Sequence, residues 1–163
     1  MIPVFSIVGT NSKIGKTTVL CNIIKELKSR EYKVCTIKHD VHGFDIDHPG
    51  KDTWKHAQAG ADIVAISSPK KMAMIEKVEN EYRLDEIINR ISNVDIIITE
   101  GYKQENKPKL EIFRKGLTNE IYSKDEDLFA IITDTPIEKE IPQFGFSEIK
   151  EVVDLIEKKF LKK

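Results

Sequence analysis

The chain has 163 residues, 33% of them charged, and a net charge of −1. That length suits one domain that buries about 70% of its unfolded surface without structural metal or disulfides, and the balanced charge gives no bulk electrostatic case for a nucleic-acid or membrane-surface partner. Cys21 and Cys35 make no disulfide framework, no apolar run approaches the roughly 20 residues of a membrane span, and the Met-Ile-Pro-Val start shows no export signal, so a reduced, cytoplasmic protein is expected.

The chain opens on an apolar strand, residues 4–8, followed by GTNSKIGKTT and a helix over residues 17–30. Leu20, Ile23, Ile24 and Leu27 mark the buried face of that helix, with Lys25, Glu26 and Lys28 turned away. A strand feeding a glycine-containing loop that opens a helix is a phosphate-binding device, because backbone N–H groups and the positive helix end converge on one anion. Lys16 would reach the β- and γ-phosphates and Thr17 a magnesium ion. The usual pattern puts four residues between its glycines, whereas five separate Gly9 from Gly15. Either the loop carries an extra residue, or Thr10 stands in the first glycine's place.

Residues 33–38 read as a second strand, and a polar segment over residues 39–50 follows. So long a structureless stretch in a compact domain implies a functional loop. Asp52 is expected to cap a short helix holding Trp54 and Ala57 and ended by Gly60. Residues 62–67 and 71–78 read as strands joined by Ser67-Ser68-Pro69. Residues 83–91 then repeat the helical spacing with Leu84, Ile87, Ile88 and Ile91. Residues 95–99 (DIIIT) form an apolar strand of the kind buried on both faces of a parallel sheet, residues 109–114 and 128–133 two more, and Ser147 is expected to cap a closing helix with Ile149, Val152, Val153 and Ile156 inside. The alternation predicts a single α/β domain over residues 1–163 with a mostly parallel sheet flanked by helices. Ligands of such sheets sit at the carboxyl ends of the strands. That edge gathers the phosphate loop, His39 and Asp40, Glu100 and Gly101, and Thr133 and Asp134.

Glu100 ends an apolar strand and precedes a glycine, where a phosphate-loop protein places the carboxylate that holds magnesium through water or positions an attacking water. With Lys16 it is the candidate catalytic pair. Asp95 stands at the far end of the same strand and is left out of the site. The segment KHDVHGFDIDHPGKD (residues 38–52) holds three of the four histidines with Asp40, Asp45, Asp47 and Asp52. It reads as a zinc site, as solvated loop polarity, or as a ligand- or magnesium-contacting loop. Lys51 is a candidate for added positive charge near an anionic ligand. Among the four arginines only Arg114 falls near the ligand edge, which argues against the multi-cation clamp of a small-molecule kinase.

The phosphate loop, IKHDVHGFDIDHPGKD, the Ala59-Gly60-Ala61 helix end, IIITEGYK (residues 96–103) and LEIFRKG (residues 110–116) together resemble the MobB family, adapters in molybdopterin-guanine dinucleotide biosynthesis. The likeness spans nearly the whole chain. It implies a P-loop NTPase fold with a strand-rich extension, GTP and Mg2+ as ligands, and at most slow GTP hydrolysis. It implies also that the strand-rich extension lies around residues 109–114 and helps form a homodimer, which assists the nucleotidyltransferase joining GMP to the molybdopterin cofactor. Carried over by position, the nucleotide-binding residues are Thr10, Asn11, Ser12, Lys13, Ile14, Gly15, Lys16, Thr17 and Thr18. The magnesium-linked groups are Thr17 and Glu100, with Asp45 and Asp47 as acidic loop residues and Asp47 the candidate metal contact. The added residue leaves the register of the backbone donors from Asn11 to Ile14 open. Asp134, in Thr133-Asp134-Thr135, is either the carboxylate that reads guanine or an exposed turn residue. A small-molecule kinase and a nucleotide-dependent metal chaperone stand as alternative readings.

Overall fold

The computed structural model describes residues 1–118 and 120–161. They divide into two compact units, one of Met1–His39 with Leu84 onwards, the other Asp40–Arg83. In chain order the elements are β1 (Val4–Val8), α1 (Lys16–Ser29), β2 (Val34–Lys38), α2 (Asp52–Gln58), β3 (Ile63–Ser68), β4 (Lys71–Glu76), α3 (Leu84–Ile88), β5 (Ile96–Glu100), β6 (Lys109–Phe113), β7 (Leu128–Thr133), β8 (Gln143–Phe144) and α4 (Ile149–Ile156).

The first unit is built on a six-stranded sheet in the order β2-β5-β1-β6-β7-β8, with every pairing parallel. After β1 the chain fills the β5 and β2 side of the sheet and returns to its other side at β6. The crevice of a switch point therefore opens at the carboxyl end of β1. Phe5 and Ile7 of β1, Ile96 and Ile98 of β5, and Leu110 and Ile112 of β6 pack with Val19, Leu20, Ile23 and Leu27 of α1 and Val152, Val153 and Ile156 of α4. Beyond α4 the chain widens into a π-helical turn, Glu157–Leu161, which sets Phe160 at 5.6 Å from Phe5 and 5.1 Å from Phe129. Arg30, at the end of α1, donates to Asp154 and Glu157 at 2.6 Å each and so ties the two helices together.

Alternation along the strands turns a second set of residues to the opposite face. Ser6, Thr99, Lys109 and Glu111 lie there, all buried. Each is paired: Thr99 donates to Ser6 Oγ at 2.7 Å, Lys109 reaches Asp127 Oδ2 at 3.0 Å, and Glu111 accepts the backbone N–H of Tyr122 and Ser123 at 2.7 and 2.8 Å. Residues 109–113 form the strand expected over residues 109–114. As β6 they are hydrogen-bonded to β1 on one side and β7 on the other, so no strand edge is left to pair with a partner.

The second unit holds α2 and an antiparallel hairpin, β3 with β4, in a sheet of their own. The strand-rich extension is expected around residues 109–114, which hold β6 of the main sheet; the separate strand pair is this hairpin. Its register pairs Ser68 with Lys71, so Pro69 and Lys70 make the turn rather than Ser67-Ser68-Pro69. Two expected caps shift by one residue. Lys51, not Asp52, is the N-cap of α2, and Glu148, not Ser147, precedes α4. Asp52 instead places its carboxylate in the first helical turn, where the helix dipole favours it. The helix expected over residues 83–91 contracts to Leu84–Ile88, with single turn hydrogen bonds carrying the chain on to Ile91.

Candidate functional site

The phosphate loop leaves β1 at Gly9, where a Cβ would stand 3.1 Å from the Ile112 carbonyl oxygen and 3.2 Å from the Ile14 side chain. Only glycine fits so close an approach, so Gly9 begins the loop and Thr10 lies exposed beyond it. The added residue is taken up in a 3-10 turn, Ser12–Ile14, started by Asn11 as its side chain accepts from Lys13 N at 2.9 Å. Ile14 turns inward and is fully buried, which anchors the loop on the core. Gly15 takes φ +102° and precedes α1 with no side-chain cap. The first-turn N–H groups of a fourteen-residue helix are thereby left for an outside acceptor.

Lys16 folds back over this loop and donates to the Asn11 carbonyl at 2.7 Å. Burial pulls its pKa below the ordinary lysine value, the nearby Lys103 ammonium adds to that, and the Glu100 carboxylate opposes both. Thr17 Oγ1 donates to Glu100 Oε1 at 2.9 Å. The hydroxyl and carboxylate predicted to share a magnesium ion are thus adjacent, although 83 positions separate them in the chain. A glycine-built cradle, an uncapped helix start, a lysine and an adjoining hydroxyl–carboxylate pair fit a nucleoside phosphate with Mg2+.

Glu100 is followed by Gly101 and Tyr102, with φ of +95° and +52°. Gly101 donates its N–H to the Ile7 carbonyl of β1 at 3.2 Å, and the Tyr102 ring stacks on His39 at 4.7 Å. His39 thus holds this turn, and His42 and His48 belong to the second unit with Asp40 and Asp45. Asp47 is there too: its Oδ1 accepts from His48 N and Thr53 Oγ1, and its Oδ2 is buried with no hydrogen-bond partner. Lys51 is exposed. Among the described residues no group of three His, Cys, Asp or Glu is placed to hold a metal ion.

On the β6 side of the loop, Thr10, Asn11, Ser12, Leu117, Thr118 and Glu120 line a pocket of about 490 Å3, within the size range of small-ligand sites. Asp134, at the end of β7, accepts Lys115 N at 2.9 Å through Oδ1 and so fixes the start of the segment that walls this pocket. Two basic residues join the site, Arg114, expected near the ligand edge, and Lys103, to which the sequence assigns no role. Lys103, whose charge lowers the Lys16 pKa, lies 5.4 Å over the Tyr122 ring. Arg114 packs its guanidinium 4.1 Å over Phe146, with Nη2 3.9 Å from where a Gly15 Cβ would stand. The sequence signal for both was position alone, a cation within three residues of a strand's carboxyl end.

A parallel α/β sheet whose first strand runs through such a loop into its first helix defines a P-loop NTPase-like protein. The sequence model of MobB, molybdopterin guanine dinucleotide synthesis protein B, matches residues 4–134, and this chain belongs to that family. It is 31% identical over 158 residues to the molybdopterin-guanine dinucleotide biosynthesis adapter protein of Haemophilus influenzae, covering 96% of this chain and 88% of that one. The protein of the same description from Escherichia coli is 30% identical over 162 residues, covering 96% and 92%. Among solved structures, the crystal structure of a molybdopterin-guanine biosynthesis protein B superposes with a TM-score of 0.72 at 28% identity, over 94% of this chain and 97% of the other. Bacillus subtilis MobB shares the fold at a TM-score of 0.75 and 21% identity, over 99% and 100%. No helix among the described residues is long and apolar enough to cross a membrane.

Proposed function

We propose that this protein is a GTP-binding, homodimeric adapter of the cytoplasm that assists the guanylyltransferase attaching GMP to the molybdopterin cofactor. The names of its relatives support the pathway, and the site supports the nucleotide. The observation that carries the nucleotide reading is the Thr17–Glu100 hydrogen bond beside Lys16, at the open start of α1. There Thr17 and Glu100 would hold Mg2+ and Lys16 with the residues from Thr10 to Thr18 would hold phosphates. When bound, the metal would neutralise phosphate charge. Asp47, whose Oδ2 has no hydrogen-bond partner, is proposed as a magnesium-linked carboxylate on the family likeness alone.

The homodimer is supported by the hairpin rather than by β6. Ile63, Ile66, Met72 and Met74 are each more than half exposed. Cross-strand partners share a face, so the register puts Ile66 on one face and Ile63, Met72 and Met74 on the other. A two-stranded sheet apolar on both sides fits a protein surface rather than water. The relatives favour neither the kinase nor the metal-chaperone reading.

Parallel calorimetric titrations with GTP and ATP, each with Mg2+, test the proposal. GTP binding at least about tenfold tighter, a difference of about 1.4 kcal/mol, is the expected result. Equal affinities would overturn the guanine assignment, and no binding of either would overturn the nucleotide reading as a whole.

A further inference from the structure

Lys103 follows by three residues the Glu100 carboxylate that accepts from Thr17 beside Lys16, so two ammonium groups and one carboxylate serve one small region of this site, and the excess positive charge calls for an anion. The first is Lys16. The second, Lys103, makes no ion pair or hydrogen bond among the described residues and rests over the Tyr122 ring. Its placement is enforced on both sides. The backbone reaches it through two consecutive left-handed residues, Gly101 and Tyr102, an arrangement costly for tyrosine and held by the Gly101–Ile7 hydrogen bond and the stack of Tyr102 on His39. The segment that presents the ring beneath it is anchored because the buried Glu111 carboxylate accepts from the backbone N–H groups of Tyr122 and Ser123. Strain and a buried carboxylate are thus both used to hold one lysine at the edge where β5 meets the phosphate loop.

We propose that Lys103 is a second phosphate-binding cation, one that contacts the terminal phosphate of a bound nucleoside triphosphate and so makes the site distinguish triphosphate from diphosphate. This rests on the nucleotide reading above and adds a specificity to it. Lys103 lies in the turn that leaves β5 three residues beyond Glu100, the magnesium-side group, and that side of the site is the terminal-phosphate side. A charge-assisted contact to that phosphate strengthens triphosphate binding and leaves diphosphate binding nearly untouched.

The test is the affinity of the full chain for a non-hydrolysable GTP analogue and for GDP, both with Mg2+, in the wild type and in Lys103→Met and Lys103→Arg. Methionine keeps an apolar stem over Tyr122 and removes only the charge. The expected result is a loss of about tenfold or more for the analogue, less than about twofold for GDP, and recovery of most of the analogue affinity with arginine. Unchanged analogue affinity in Lys103→Met overturns the proposal. An equal loss for both nucleotides also overturns it, since that is the mark of a turn that merely holds the loop in shape. Failure of the wild type to bind either nucleotide would instead remove the underlying nucleotide reading, and this inference with it.

Discussion

Thr17 and Glu100, 83 positions apart, are joined by a 2.9 Å hydrogen bond from the threonine hydroxyl to the carboxylate. Both groups are accessible, and neither supports the core, so their adjacency serves the site rather than the fold. Thr17→Ala and Glu100→Gln should each leave thermal stability within about 0.5 kcal/mol of wild type. Each should lower the magnesium-dependent part of GTP affinity about tenfold. Because the two act on one ion, the double variant should lose little more than either single one. Additive losses in that cycle, measured by calorimetry with and without Mg2+, would show that they do not share a metal.

Lys16 carries a pH signature. Burial and Lys103 hold its pKa below 10.5 in the folded protein, so the charged form is penalised relative to the unfolded chain. The penalty is present in full at neutral pH and is lifted as pH rises past the folded value toward 10.5. A bound phosphate reverses the preference and favours the ammonium, so binding should be coupled to proton uptake on the alkaline side. GTP affinity is expected to stay flat through neutral pH and fall as pH climbs toward 10.5. Lys16→Ala should abolish binding and leave the circular dichroism spectrum unchanged. A folded Lys16→Ala variant with wild-type affinity would remove the lysine from the site.

Gly9→Ala tests the loop geometry directly. The new methyl would meet a backbone carbonyl of β6 at 3.1 Å and the buried Ile14 side chain at 3.2 Å, and the carbonyl is fixed in the sheet. Overpacking of this kind costs about 1–3 kcal/mol. Chemical denaturation should show that loss, together with weakened GTP binding. Thr10→Ala, at an exposed position, should cost almost no stability.

Much of this was legible in the sequence because the signals were local. The apolar runs of β1, β5 and β7 and the spacing of Leu20, Ile23 and Leu27 gave those elements, and a glutamate ending a buried strand gave Glu100. β8 escaped notice since two residues, Gln143 and Phe144, have no periodicity. Residues 109–114 are legible as a strand, and β6 is there, but the sequence does not show that Lys109 and Glu111 are satisfied in the interior by Asp127 and the Tyr122 and Ser123 amides, because those partners lie 11 to 18 positions away. Lys103 was passed over for a related reason: in a chain rich in surface lysines, nothing local marks one that a distant ring and a strained turn hold beside Lys16.

The hairpin makes a prediction about assembly. Ile66→Lys with Met74→Lys places a charge on each of its two faces, at positions already exposed. Light scattering should show the wild type as a dimer and this variant as a monomer, with GTP affinity within about twofold of wild type if the nucleotide site is complete in one chain. A monomeric wild type would refute the homodimer, and a dimeric variant would move the interface away from the hairpin.

Asp134 has two separable tasks. One oxygen already accepts Lys115 N at 2.9 Å, which fixes the segment walling the pocket, and the remaining acceptor capacity is what a guanine edge with two N–H donors would use. Asparagine keeps the first task, since its carbonyl still accepts from Lys115, but it presents an NH2 where the base needs an acceptor. Asp134→Asn should therefore retain wild-type stability and lose discrimination between GTP and ATP, by about one to two orders of magnitude, as for a charged hydrogen-bond acceptor removed. Asp134→Ala should lose discrimination and also loosen the pocket wall, lowering affinity for both nucleotides. If Asp134→Asn still prefers GTP as strongly as wild type does, Asp134 is a turn residue and the base is read elsewhere.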